Sequence, residues 1–209
     1  MRARLAFRET PPHAPRHGEG HHVDDLTRLP AGLPEPGDDG AADHLPGTRL
    51  PSLGLPHIEG RLVALDRLGD GRTVLYAFPR AARPRELPVG WDSVPGAAGC
   101  LQEACGFRDR HAELLTAGAS RVFGLSGQDS PCQRELAQRL RLPFGLLSDP
   151  VLALAGALRM PVLEVGGRLF YRRLTLIVRA GAIEHVFHPV FPPDRHAAQV
   201  LDWLRANPG

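Results

Sequence analysis

"PGAAGCLQEACGFRDRH", residues 95–111, passes from a Pro/Gly-rich loop straight into a helical pattern and sets Cys100 and Cys105 five residues apart at its head. The helix expected from about Cys100 to Thr116 carries Ala104, Phe107, His111, Leu114 and Leu115 on one stripe. That 3–4 spacing marks an amphipathic helix with one buried face. His111 lies on the stripe and reads as a satisfied boundary histidine rather than a catalytic one. Upstream, "RLVALDRL" and "RTVLYAFP" (72–79) are short apolar runs bounded by "GDGR" and by Pro79, and both read as strands. A strand handing over to a helix through a loop is the repeating unit of an α/β domain.

The same alternation continues downstream. "SRVFGLSG" (120–127) predicts a strand, and Ser130-Pro131 opens a helix whose Gln133 completes a capping box. "PFGLLSDP" is a further strand, and "VLALAGAL" a short apolar helix. "RLFYRRLTLIVR" (168–179) reads as one strand that turns through "AGA" into "IEHVFHPV", a hairpin. Asp194 then leads a helix with Ala197, Val200, Leu201 and Leu204 on one face. The expectation is a single α/β unit over residues 49–209 with a mixed sheet and no internal repeat.

Two segments break the pattern. Residues 80 to about 99, with Arg80, Arg83, Arg85 and an exposable Trp91, join a strand to a helix without periodicity. Connections beyond about 12–15 residues are usually functional, so a lid is expected. Residues 1–48 are rich in Pro, Gly, His and Asp and too poor in large apolar residues to offset ordering entropy, which predicts a disordered tail or loosely docked arm. His13, His17, His21 and His22 lie there, but Pro12, Pro15, Gly18 and Gly20 prevent the helix that would align them as metal ligands. A solvated tail is the favoured reading, and no metal or cofactor is expected.

Composition narrows the function. The 209 residues suit one domain with extra sequence, and 43% hydrophobic residues suffice for a core. No apolar run is long enough for a membrane span, and the N-terminus lacks the apolar core of a signal peptide, so a cytoplasmic protein is expected. All 25 basic residues are arginine, interspersed with 23 acidic ones for a net charge of +2. Such a distribution does not point to nucleic acid or an anionic membrane as a partner. Three cysteines in a reducing compartment argue against a disulfide framework and give weight to a catalytic or metal role.

Cys100 opens a helix just beyond a strand, where unpaired N–H groups and the helix dipole favour a thiolate. The dipole contributes about 0.3–1 kcal/mol, about 2 in a sheltered site. Lowering a thiol pKa from about 8.5 to about 6 takes about 3.4 kcal/mol, so a second positive group is required. A zinc site lacks a second pair of ligands nearby, and the spacing excludes a C-x-x-C redox pair. On the residues alone, redox-active and inert buried cysteines both stay open.

"LPSLGLPHIEGRLVALDRLGDGRTVLYAFP", "GCLQEACGFRD", "VFGLSGQDS", "LPFGLLSDP" and "RLTLIVRAGAIEHVF", in that order over roughly residues 50–207, resemble the peroxiredoxins, in particular the peroxiredoxin Q group (bacterioferritin comigratory proteins). The resemblance implies a thioredoxin-like fold, a central mixed sheet flanked by helices, and reduction of hydrogen peroxide and organic hydroperoxides. It implies that Cys100 is the peroxidatic cysteine and Cys105 the resolving one. Glu103 falls where the family carries a supporting Glu or Gln, and Arg173 aligns with the strand arginine beside the thiolate, the second charge required above. A thioredoxin-like or other thiol reductant would complete the cycle, in a monomer or weak homodimer. The family motif P-x-x-x-T-x-x-C reads "SVPGAAGC" here, with Ser93 and Ala97 at the Pro and Thr positions. Cys132, on the next helix, is the alternative resolving cysteine. A redox-sensing or partner-binding protein, keeping the disulfide switch with little turnover, is the alternative function.

Overall fold

The computed structural model describes residue 29 and residues 31–82 and 86–209. Strand β3 (Arg72–Ala77) is the middle of a five-stranded sheet. β4 (Ala119–Ser126) lies parallel to it on one side and β5 (Gly145–Ser148) parallel beyond that. β8 (Leu174–Arg179) pairs antiparallel with β3 on the other side, and β9 (Ala182–Phe187) antiparallel with β8. The sheet is therefore mixed, as expected.

Alternation along β3 sends side chains to two cores. Val74, Tyr76 and Phe78 pack with Phe107, Leu114, Leu136, Leu140, Val200, Leu201 and Leu204. These come from α1 (Cys100–Asp109), α2 (His111–Thr116), α3 (Ser130–Leu140) and α5 (His196–Ala206). Leu75 and Ala77 face the opposite core, with Leu154 and Leu158 of α4 (Ala153–Leu158) and with Leu55 and Val63 of the β1–β2 hairpin (Gly54–Pro56, Leu62–Ala64). Arg72, at the buried start of β3, is held by Glu184 of β9 through bonds of 2.7 and 2.6 Å, so its charge is paired rather than stranded.

Several expectations change in detail. The helix expected over 100–116 is two helices, broken at Arg110 (φ −104°, ψ 7°). The break keeps Phe107 and Leu114 both fully buried. α3 is capped by Asp129, which accepts from Cys132 N–H at 2.9 Å, and not by Ser130, whose hydroxyl bonds Ser148 at 3.0 Å. Gln133 does not close a capping box; it is fully buried and donates to the carbonyls of Ser126, Gln128 and Leu147. The run 168–179 divides into β7 (Arg168–Tyr171) and β8. β7 pairs with a strand the sequence reading missed, β6 (Val162–Val165), across Gly166-Gly167, both at positive φ (59° and 72°). That Gly-Gly pair is the signal for a two-residue hairpin turn.

The boundary expected at 48/49 does not follow the packing. Leu45 is fully buried and Ala42 nearly so, in the same core as α4. Gly47 N–H donates to Ile183 O at 2.8 Å, His44 Nε2 bonds Leu158 O at 2.9 Å, and Asp39 pairs with Arg172 at 2.6 Å. Residues 31–48 thus belong to the domain, while the histidine tract from His13 to His22 lies outside the described residues. Trp91, expected to be exposable, is 3% exposed. It meets Phe170 edge-on at 5.1 Å and, with Ala97, Leu163 and Val165, builds a third small core between the 80–99 segment and the β6–β7 hairpin. Arg83 and Arg85 are outside the described residues.

Candidate active site at the head of α1

Gly99 precedes α1 at φ 90°, a left-handed conformation that costs other residues a Cβ clash. A Cβ there would also collide with Pro193 and come within 2.9 Å of Leu29. The chain can therefore turn sharply into α1 with Cys100 as its first residue.

Around Cys100 the chain converges from three directions. Its thiol, 4% exposed, faces the carbonyl of Ala97 at 3.5 Å. Arg173 Nη2 donates to the sulfur at 3.1 Å and to Ala98 O at 2.9 Å. The backbone N–H of Arg80, just beyond β3, is a further donor to it. The break between β7 and β8 explains the arrangement: Arg172 pairs outward with Asp39, while Arg173 turns beneath the head of α1. Arg173 Nη1 in turn bonds Glu103 Oε2, and both side chains are almost wholly buried. Cys100, Glu103 and Arg173 are therefore brought together as the sequence suggested.

Two acids share one guanidinium here. Burial pushes the Glu103 carboxyl up to about 7 against the pull of Arg173. Burial also raises the Cys100 thiol; Arg173 and the Arg80 N–H oppose that rise, and Glu103 adds to it. Arg173 is thus the second positive group beside the sulfur, and burial of the thiol works against it.

The remaining cysteines stand apart. Cys105 is 3% exposed on the same helix, beside Arg108, and burial raises its thiol pKa. All three thiols are free. Cys132 is exposed at the start of α3, where a hydrogen bond to Asp129 holds its proton. Ala97, at the motif Thr position, is fully buried in the third core. Sequence reasoning missed the Arg80 N–H and the Leu29–Pro193 packing on Gly99, because a backbone donor and a van der Waals stop leave no pattern in residue types. Asp38, Asp39 and His188 bring ligand atoms within 4.8 Å of one another, but the two carboxylates already serve Gly40 N–H and Arg172.

Residues 45–201 match the Redoxin family. The chain is 28% identical over 160 residues to the chloroplastic peroxiredoxin Q of Oryza sativa subsp. japonica, covering 77% of this chain and 66% of that one. It is 29% identical over 155 residues to the Triticum aestivum protein of the same name, covering 74% and 64%. The chain thus spans just under two thirds of the length of these plant relatives. Peroxidoxin BcpB from Mycobacterium tuberculosis has a similar structure, with a TM-score of 0.64 and 28% identity over 79% of this chain and 99% of that one. Xanthomonas campestris peroxiredoxin Q shares the fold at a TM-score of 0.59 and 22% identity, over 83% and 96%.

Proposed function

Since this chain belongs to the Redoxin family and has the thioredoxin-like peroxiredoxin fold, we propose that it is a thiol-dependent peroxidase of the peroxiredoxin Q kind, with Cys100 as its nucleophile. The observation that carries the reading is the Arg173 guanidinium 3.1 Å from the Cys100 sulfur at the head of a helix.

In the proposed cycle Cys100 reacts as the thiolate. Its sulfur attacks one peroxide oxygen, the O–O bond breaks, and the departing oxygen takes a proton to leave as water or an alcohol. Cys100 becomes a sulfenic acid. Arg173 and the Arg80 N–H stabilise negative charge on the sulfur and, as the O–O bond breaks, on the departing oxygen. Glu103, whose carboxyl burial pushes up, holds the Arg173 guanidinium that faces the sulfur. The Cys105 thiol then attacks the oxidised sulfur, water leaves, and a Cys100–Cys105 disulfide results. A thioredoxin-like dithiol reduces it by exchange, becoming a disulfide itself. All five groups come from one chain, so the steps up to the disulfide need no second subunit.

A specific observation supports Cys132 as the competing resolver. Arg80 offers its N–H to the Cys100 sulfur, and its charge also acts on the Cys132 thiol. A sensing role would share the first oxidation and lack the turnover; burial of the Cys100 thiol and Ala97 in place of a hydroxyl residue favour that reading. Hydroperoxide-dependent oxidation of thioredoxin separates these readings. Cys100→Ser is expected to abolish it, and Cys105→Ser to leave one stoichiometric oxidation without turnover. Full turnover in Cys100→Ser would overturn the assignment. Full turnover in Cys105→Ser with its loss in Cys132→Ser would move resolution to α3.

A further inference from the structure

Resting on that peroxidase reading, we propose that Leu29 and residues 31–39 form a strap over the site that restricts the protein to small hydroperoxides. Two crevices reach Arg173, and both are roofed by this segment. One lies between Leu33 and Pro34 of the strap and Val94, Ala98, Arg173, Val190 and Phe191. The other runs from Pro36 past Pro95, Leu163 and Arg172 to Arg173. Each holds about 10 Å³, roughly the space of one water molecule.

The strap is anchored at both sides of that roof. Leu29 fills the space in front of Gly99, against Pro193. Asp39 is tied to Arg172, the residue next to the site arginine, at 2.6 Å, and Leu45 roots the segment in the core beyond. The walls are largely apolar, five of the lining residues being prolines (Pro34, Pro36, Pro95, Pro189 and Pro193). A peroxide with no carbon attached needs little more space than a water. An aromatic hydroperoxide entering by either crevice cannot bring its O–O bond to Arg173 without lifting the strap, and lifting it breaks the Asp39–Arg172 pair. Substrate size is thus set by residues that touch neither the sulfur nor the guanidinium.

The test uses the full chain and a single-turnover measurement of Cys100 oxidation by hydrogen peroxide and by cumene hydroperoxide. Wild type, Leu33→Gly/Pro36→Gly and Asp39→Ala are compared. The wild type is expected to favour hydrogen peroxide, and both variants to raise the cumene hydroperoxide rate constant about tenfold with hydrogen peroxide changed by less than about twofold. The hydrogen peroxide constant is the control for an intact site. Should the double variant lose both reactions by unfolding, the exposed Asp39→Ala change decides. A ratio of the two constants unchanged in Asp39→Ala overturns the strap while leaving the peroxidase reading standing. A wild type that reacts with neither peroxide overturns the peroxidase reading, and the strap with it.

Discussion

At the scale of single residues, the site is a contest between two acids for the positive charge of Arg173. Glu103 raises the Cys100 thiol pKa when ionised, and because the repulsion between two charges is mutual, a Cys100 thiolate would disfavour the Glu103 carboxylate in turn. Glu103→Gln keeps an acceptor for Arg173 and removes the competing charge. The Cys100 pKa should fall, because the like charge that raises it is gone, and the pH profile of its oxidation should move to lower pH. A midpoint that moves up instead would mean that Glu103 acts chiefly by holding Arg173 in place. Positions in familiar segments make Cys100, Glu103 and Arg173 legible as candidates, and the structure sets the three side by side. Their burial is not legible there, and burial is what turns the thiol pKa upward. Ala97 reads in the sequence as a missing hydroxyl, yet its place in the chain serves the core built by Trp91 and Phe170.

At the scale of elements, α1 is a helix built to open. It has no side-chain cap at its N-terminus, starts from a left-handed Gly99 and contains Gly106. Five residues of intact helix put the Cys100 and Cys105 Cα atoms roughly 8–9 Å apart, whereas a disulfide spans at most about 7 Å. Formation of that bond must therefore unwind at least the first turn. Hydrogen exchange on reduced and oxidised protein should show the amides of residues 103–107 losing protection while those of α5 keep theirs. Retained protection in α1 with the Cys100–Cys105 bond verified by peptide mapping would contradict this. Periodicity found the helices and main-sheet strands well, because buried stripes leave a strong signal. It merged α1 with α2 and β7 with β8, because the apolar spacing runs on through Arg110 and through Arg172-Arg173 while the backbone does not.

At the scale of the whole molecule, the N-terminal segment is the part least readable in advance. Its composition is that of a tail, yet a few well-placed residues seat it: Leu45 in the core, Thr48 on β9 through the 2.9 Å bond from Ile183 N–H, and Asp39 on Arg172. Composition averages over such anchors, so it cannot register them. Leu45→Ala should cost about 2–5 kcal/mol, lowering the melting temperature by several degrees. A melting curve superimposable on wild type would show that the segment contributes nothing to the fold.

The contact of Leu29 and Pro193 on Gly99 has a consequence for behaviour under stress. Whatever slows the parting of α1 from its neighbours prolongs the lifetime of the Cys100 sulfenic acid in the proposed cycle. At low peroxide flux that delay costs nothing, since the resolving thiol arrives before a second oxidant does. At high flux a second peroxide wins the race and carries the sulfur to the sulfinic acid, a step thiols do not reverse. On the proposed cycle, the packing in front of one glycine would thus set the dose at which scavenging ceases, in the manner of a fuse whose rating depends on how tightly its helix is clamped.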